Sequence, residues 1–284
     1  ICLDLLGATY EQRNRFKINQ ITGEAVDEFI RKMRITGVVS LRGNGRFIDF
    51  NSFETEKINY ILDNYSIYEN YTTKSEFFQY IGTIDTNIVT LAQPVDEAII
   101  TDARITTLNR WANEYSKEDI INELNIVCGN GESRNAVLRI IDKPTRLEFL
   151  TSVALKQHFV ELNVQPNYHV DDEGLPTFTA SGGVADIECY DTNCNSLVEV
   201  TLMCARNQAT NEMPAITRHL QEAIEQQPEV IIFSMLVAPS IHADTKYMAA
   251  FSKHQYNVDI LTLTITEFIE QINEKERIIE MLPA

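Results

Sequence analysis

The sequence is poor in the residues that mark fibrous or disordered chains. It has only 11 glycines and 8 prolines in 284 residues, and neither a sustained heptad nor a low-complexity run. Hydrophobic residues make up 44% of the chain, which is enough to build a packed core. These features exclude collagen, coiled coil and wholesale disorder, and the length predicts about two globular domains.

Long apolar runs are also missing. The longest, Val230 to Ala238, is far shorter than the roughly 20 residues of a membrane span, and no signal peptide opens the chain. We therefore expect no membrane association and a cytoplasmic location. The chain opens at Ile1 with apolar residues close behind, like the middle of a structural element, so we expect a fragment whose upstream region lies outside the sequence.

Cysteine is scarce, and its spacing indicates no metal or disulfide site. No CxxC pair occurs, and no cysteine has a histidine at zinc-finger spacing. Neither a structural zinc nor a disulfide framework is indicated, so we expect reduced thiols. The five cysteines are Cys2, Cys128, Cys189, Cys194 and Cys204.

Positive charge is the minority sign, with 24 Lys and Arg against 41 Asp and Glu. A net charge of −17 argues against nonspecific adhesion to nucleic acid, because phosphate binding depends on clustered Lys and Arg. The charge is unevenly distributed, however. Residues 13–46 hold eight bases and three acids, whereas residues 141–284 hold nine bases and 21 acids. The two ends of the chain are therefore expected to have different electrostatic roles.

Residues 1–70 carry the pattern of a winged-helix-like DNA-binding segment. Apolar spacing predicts a helix over residues 24–33, and two strand-like runs flank a glycine-rich turn at residues 42–45. A further helix is expected from about Glu54. Basic residues on the first helix and at the hairpin tip could meet DNA phosphates, although a solvated basic face on a small packing domain is the simpler alternative. These candidates are Arg31, Lys32, Arg34, Arg42 and Arg46.

The rest of the chain divides into a helical linker, residues 71–135, and a mixed α/β domain, residues 136–284. In the linker, Ser116 and Asp119 form a predicted capping box. In the second region a helix from about Thr145 to Val160 is apolar nearly all round, which indicates a central position. Strands and helices then alternate, which predicts a sheet with helices on both faces.

Two of these strands carry carboxylates on one face. The predicted strands are Val184–Tyr190 and Leu197–Met203. If a hairpin joins them, Asp186 lies opposite Glu199 with Cβ atoms about 5 Å apart. Two carboxylates at that distance repel each other unless a cation lies between them, and Mg²⁺ prefers such oxygen ligands. A pair of solvated acids on an exposed sheet face is the alternative.

Three further candidate residues lie on elements that are predicted to pack near these two strands. Glu212 and His219 are two turns apart on one face of the next helix, and Glu148 lies on the otherwise apolar helix upstream, where an acid needs a partner. Singly, each has an ordinary explanation: a surface histidine, an acid favoured by a helix N-terminus, or half of a salt bridge. Together they would suit a phosphodiester-cleaving metal site.

The segment Glu199-Val200-Thr201, preceded by Asp186, resembles the metal-binding core of the PD-(D/E)xK nuclease superfamily, with Thr201 where lysine usually stands. No lysine occurs between Lys156 and Lys246. The positive or proton-transferring role would therefore fall to His219, or to Arg206 and Arg218.

The longer pattern, which adds Glu212, His219 and Glu148, is similar to the AlwI-like group of type IIS restriction and nicking endonucleases. The resemblance covers essentially the whole chain, because the winged-helix-like segment and helical connector fit that group's layout. It implies a PD-(D/E)xK nuclease-like mixed sheet, Mg²⁺ or Mn²⁺ as cofactor, double-stranded DNA as substrate and a bacterial origin. Implied metal ligands are Asp186, Glu199 and the Val200 carbonyl.

One active site cuts one strand, so the resemblance implies nicking by a lone chain and double-strand cleavage only with a second nuclease subunit. Glu212 and Glu148 would assist the metal, and His219 would transfer protons near its ordinary pKa of about 6.5. Two alternatives stay open. One is a noncatalytic DNA-binding or assembly subunit with a degenerate nuclease fold, and the other is an acidic metabolic enzyme that binds a small ligand.

Overall fold

The computed structural model describes residues 24–43, 47–65, 71–81, 85–91, 103–129 and 131–283. The chain divides into two compact units, one of residues 1–41 and 47–96 and the other of residues 42–46 and 97–284. The predicted division at residues 70 and 135 stays a prediction. Within the described ranges, no helix is both long and apolar enough to cross a membrane.

The first unit follows the predicted order of helix, hairpin and helix. Helix α1 ends before Gly37, whose positive φ of 74° is one that glycine adopts without strain. Asn51 caps the turn that leads into α2 by accepting a hydrogen bond from the Phe53 amide. The identification of this unit as a winged helix stays a prediction. Its elements are α1 (Glu24–Ile35), β1 (Val39–Arg42), β2 (Phe47–Phe50), α2 (Thr55–Asn64), α3 (Lys74–Ile81) and α4 (Thr86–Leu91).

The helices of the second unit begin where the sequence provides caps. Ser116 and Asp119 form the predicted capping box at the start of α6. Proline lies in the first turn of α7 and of α8, where its missing N–H costs little. Residues 145–155 of α7 are all buried, as its apolar circumference predicted. The helices are α5 (Ala103–Glu114), α6 (Lys117–Cys128), α7 (Lys143–His158), α8 (Met213–Gln226), α9 (Ala243–Tyr256) and α10 (Ile265–Glu274).

A mixed sheet forms the centre of the second unit, in the order β3-β6-β7-β8-β9. The first three strands in this order pair antiparallel, and the last three pair parallel. A separate pair, β4 with β5, is antiparallel. The predicted mixed α/β architecture is therefore confirmed. The strands are β3 (Asn163–Pro166), β4 (His169–Val170), β5 (Pro176–Phe178), β6 (Ile187–Tyr190), β7 (Cys194–Val200), β8 (Ile231–Ala238) and β9 (Ile260–Thr264).

Helices cover both faces of this sheet, because alternate residues of β8 enter different cores. Phe233 and Met235 pack in the larger core with residues of α5, α6, α7 and α10. Ile232 and Leu236 pack in the smaller core with residues of α8 and α9. Period-two alternation along the strand therefore separates the two helical layers.

The local boundaries differ from the predicted ones near the site. Strand β6 begins at Ile187 rather than Val184, and β7 ends at Val200 rather than Met203. Of the two residues predicted to share a face of the next helix, only His219 lies on α8, which begins at Met213, and Glu212 ends the preceding π-helical turn, Gln208–Glu212. Among the described cysteines, Cys128, Cys189, Cys194 and Cys204 are free thiols, as expected, and Cys2 lies outside the described residues.

Candidate active site

The core of the site lies where β6 begins and β7 ends. Ile187 pairs with Val198 in the antiparallel register, so the next pair is Asp186 and Glu199, as the sequence predicted. The Asp186 amide donates to Glu199 Oε2 at 3.4 Å. Asp186 Oδ2 in turn accepts a hydrogen bond from the Val200 amide at 2.8 Å. The backbone of each strand therefore holds the carboxylate of the other.

Helix α7 brings a third carboxylate into the same region. Glu148 is only 3% exposed, and its Oε2 accepts a hydrogen bond from the Ala180 amide at 3.0 Å. Burial, with a smaller contribution from the charge of Glu199, raises the pKa of Glu148 to about 8 against the hydrogen bond from the Ala180 amide. A buried carboxyl with a single backbone donor is a poor structural element by itself, because burial disfavours its charged form.

Two more predicted residues reach the site from the segment after β7. Glu212 Oε1 accepts a hydrogen bond from the Thr201 hydroxyl at 3.1 Å. His219, on α8, has its Nδ1 3.3 Å from Glu199 Oε1. Because an ionised carboxylate only accepts, Nδ1 carries the proton in this pair and Nε2 is left with its lone pair. Arg218 Nη2 lies 3.5 Å from that Nε2.

The carboxylates raise one another's pKa values. Burial, followed by the charges of Glu199 and Glu148, raises the pKa of Asp186 well above its ordinary value. Burial and the charge of Glu199 also raise the pKa of Glu212, against the Thr201 hydrogen bond. Four of the five predicted residues, the carboxylates Glu148, Asp186, Glu199 and Glu212, therefore form one electrostatic cluster, and His219 joins it through its contact with Glu199.

The chemistry of this donor set fits a hard divalent cation. Carboxylate oxygens that burial and mutual repulsion disfavour in the charged form gain from a compact positive charge. No group of three or more His, Cys, Asp and Glu side chains in the described ranges forms a ready metal site. The predicted ligands are two carboxylates, Asp186 and Glu199, with the Val200 carbonyl, and this set stays a prediction.

The predicted DNA-contacting residues lie in varied surroundings. Arg31 and Lys32 both pair with Glu28 on the exposed surface of α1. Arg34 is exposed in the last turn of that helix. Arg42, which belongs to the second unit, pairs with buried Glu173 at 2.5 Å, and its side chain is 15% exposed. Arg46 lies outside the described residues.

Sequence analysis missed the contacts that hold the predicted acids. The amides of Ala180 and Val200 and the hydroxyl of Thr201 are the donors. Backbone donors carry no residue-type signal. Thr201 was noticed only as a replacement for lysine, and its hydroxyl was the one available signal.

A sequence model of one protein family, described as AlwI restriction endonuclease, matches residues 107–271. The chain belongs to the AlwI restriction endonuclease family. The predicted resemblance is therefore confirmed at the level of this family, and membership supports a nuclease role for the chain. The matched range includes all five clustered residues of this AlwI family member.

This AlwI family member can also be compared with solved structures and with curated proteins. The chain is similar to the crystal structure of the small subunit, R.BspD6I2, of the heterodimeric restriction endonuclease R.BspD6I. The two share 23% sequence identity and a TM-score of 0.47, over 55% of this chain and 77% of the other. No curated protein matches the sequence.

Proposed function

We propose that this chain is a Mg²⁺-dependent endonuclease that hydrolyses one phosphodiester of double-stranded DNA and nicks one strand near an asymmetric recognition site. The observation that carries the proposal is the reciprocal bonding of Asp186 and Glu199 to each other's strands, with Glu148, Glu212 and His219 beside them. Mn²⁺ is expected to replace Mg²⁺.

Asp186, Glu199 and the Val200 carbonyl would hold the cation. The chemistry that a bound divalent cation supplies at such a site is charge neutralisation at the phosphate and a lower pKa for ligated water. The hydrogen bond from the Val200 amide fixes Asp186 Oδ2 and leaves Oδ1 as the oxygen for a ligand. Glu212 and Glu148 would orient water through the oxygens that Thr201 and Ala180 do not occupy.

His219 is the proposed proton-transfer group. Its Nδ1 is held by Glu199 Oε1, so the ring presents Nε2 as the basic nitrogen. A water that loses its proton to Nε2 would attack phosphorus in line, the bond to the 3′ oxygen would break, and that oxygen would take up a proton from solvent water. The products then carry a 5′ phosphate and a 3′ hydroxyl. Glu199 stabilises the imidazolium that forms.

Arginine is the proposed source of the positive charge that lysine usually gives. Arg218 lies beside His219, and Arg206 lies on the exposed segment after β7, where it reaches Asp244 at 3.5 Å. Both are long side chains that can contact a phosphate oxygen without blocking the carboxylates.

We propose that recognition of the DNA sequence and double-strand cleavage both depend on regions or partners outside the catalytic unit. The basic residues of α1 contact phosphates through a winged-helix-like first unit, and base contacts come mainly from an N-terminal recognition region. The charge of −12 over residues 141–284 keeps the intrinsic DNA affinity of the catalytic unit low, so cutting depends on recognition. Because one site cuts one strand, double-strand cleavage requires a second nuclease subunit.

The test is conversion of supercoiled plasmid to open circles with Mg²⁺ or Mn²⁺ and none with a chelator. Asp186→Asn is expected to abolish nicking, and Glu188→Gln is the matched control. Glu188 lies on the same strand face, but its carboxylate accepts from Tyr190 and Asn167 rather than from the site. Failure to nick with every metal would favour a noncatalytic DNA-binding or assembly subunit. An equal loss of nicking activity in Asp186→Asn and Glu188→Gln would contradict the assigned site.

A further inference from the structure

The segment between β7 and α8 has an unusual backbone. Ala205 has a φ of 60°, in the left-handed region that residues with a Cβ seldom adopt. The π-helical turn Gln208–Glu212 follows, and the Met213 amide closes it by donating to the Gln208 carbonyl. Strained backbone and π-helical turns persist where surrounding contacts over-determine them, and both concentrate at functional sites.

Gln208 makes those surrounding contacts. Its side chain is fully buried. Nε2 donates to the carbonyls of Met203 at 2.8 Å and Ser240 at 2.6 Å. Oε1 accepts from the His242 amide at 3.0 Å and from the Thr245 hydroxyl at 3.2 Å. Both donors and both acceptor positions of the amide are therefore used.

These contacts join three parts of the second unit at one point. Met203 lies in the segment after β7, Ser240 and His242 lie in the segment after β8, and Thr245 lies in the first turn of α9. The Gln208 backbone adds to this, since its amide donates to the Ala205 carbonyl at 3.3 Å. A single side chain therefore fixes both ends of the left-handed turn and the start of the π-helical turn.

The far end of that turn is Glu212. Each residue of a helix turns the chain by about 100°, so the extra residue of a π turn redirects the side chains before α8. With the π-helical turn in place, Glu212 Oε1 lies 3.1 Å from the Thr201 hydroxyl, beside the Asp186–Glu199 pair. A regular α-helical start would direct the carboxylate elsewhere.

We infer that Gln208 is a positioning residue that holds Glu212 in the candidate active site through the π-helical turn. The inference rests on the proposed nuclease function, which gives Glu212 its role. Gln208 itself contacts none of the five clustered residues, so its effect passes through the backbone.

A matched control separates positioning from ordinary structural support. Gln157, on α7, donates from Nε2 to the carbonyls of Ala112 at 3.1 Å and Tyr115 at 2.7 Å. It therefore joins two elements through the same pair of donor bonds, at the opposite end of α7 from Glu148. Gln157→Met removes a pair of donor bonds like the pair that Gln208→Met removes, from a similar side-chain volume, but only Gln208→Met also removes an oxygen that accepts hydrogen bonds.

The experiment measures melting temperature, nicking kinetics against DNA and Mg²⁺ concentration, and the crystal structure of each variant. Gln208→Met is expected to lower kcat roughly 10- to 100-fold, to raise the Mg²⁺ concentration for half-maximal rate, and to leave the KM for DNA within about twofold. Gln157→Met is expected to lower the melting temperature less, because it removes two hydrogen bonds rather than four, and to keep kcat.

Three results would overturn the inference. They are an unchanged kcat in Gln208→Met, an equal loss of kcat in both methionine variants, or crystals of Gln208→Met in which Glu212 keeps its Thr201 hydrogen bond. If the unaltered chain never nicks DNA, the proposed function fails but the crystal structure still decides this point. A displaced Glu212 supports the positioning role of Gln208, and a retained hydrogen bond refutes it.

Discussion

His219 Nδ1 lies 3.3 Å from Oε1 of Glu199, so a strand carboxylate orients an imidazole on the next helix. Glu199 is also bonded to the Asp186 amide through its other oxygen. It therefore links the opposing strand to α8, and movement of Glu199 would disturb both.

Replacement of His219 by Ala should lower the nicking rate roughly 10²- to 10⁴-fold, the usual contribution of a proton-transfer group. DNA affinity should change little, because the proposed role of His219 is proton transfer and not phosphate binding. The checks are single-turnover nicking and a DNA-binding titration with Ca²⁺. His254→Ala, at an exposed position on α9, is the control and should retain full activity. Equal losses of rate and affinity would refute the proton-transfer role.

The raised pKa of Glu148 predicts a pH-dependent stability of the metal-free protein. Its ordinary value is 4.5 and its folded value is about 8, so the unfolded state releases its proton first as pH rises. The free energy of unfolding should be highest near pH 4.5 for this group and fall progressively up to about pH 8. Thermal unfolding in a chelator, followed across this range, measures the effect.

Glu148→Gln is the direct check on that profile. The amide keeps an oxygen for the Ala180 amide but cannot ionise, so the variant should flatten the pH profile and be more stable than the parent at pH 8 without metal. Added Mg²⁺ should stabilise the parent more at pH 8 than at pH 6, because the cation compensates the ionised carboxylates. Glu188→Gln should keep the parental slope. A parent whose stability does not fall over this interval contradicts the burial effect.

Removal of a buried arginine ion pair should lower the free energy of unfolding more than removal of an exposed one. Arg42 pairs with fully buried Glu173, whereas Arg31 pairs with Glu28 on the exposed surface of α1. Arg42→Ala should lower the free energy of unfolding by roughly 3 kcal/mol, since it removes the ion pair of a buried carboxylate. Arg31→Ala should change it little, because water screens an exposed ion pair.

The loss of DNA affinity should be larger for Arg31→Ala than for Arg42→Ala, which is the reverse of the order expected for stability. Arg31→Ala should weaken binding and reduce the salt dependence by about one phosphate contact. Arg42→Ala should weaken binding less, because Glu173 already compensates the charge of Arg42. Chemical denaturation and binding measured at several salt concentrations give the two values. A larger affinity loss in Arg42→Ala than in Arg31→Ala would show that Arg42 leaves Glu173 to contact DNA.

The sequence was sufficient to place the two central carboxylates opposite each other. The short link of residues 191–193 restricts the hairpin register, and period-two alternation then brings Asp186 and Glu199 to one face. The buried helix around Glu148 and the Ser116 cap were predictable for a similar reason, since both depend on local pattern.

What the sequence could not provide depends on contacts between distant residues. The π-helical turn is held by the Gln208 side chain, which donates to the Ser240 carbonyl and accepts from the His242 amide. The pairing of Arg42 with Glu173 spans 131 residues, so no local pattern could show that this candidate DNA contact is paired with a buried carboxylate. Neither contact leaves a periodic signal in the chain.

The exposed residues 204–207 look like a surface connection in which insertions and deletions are usually harmless. The π-helical turn Gln208–Glu212 follows this segment directly, and Glu212 lies at its end. The hydrogen bond of a π turn spans one residue more than that of an α-helix. Loss or gain of a single amino acid would swing that carboxylate by about 100°. Engineers who graft new loops here should keep the length of this segment and also keep Arg206, the proposed phosphate contact.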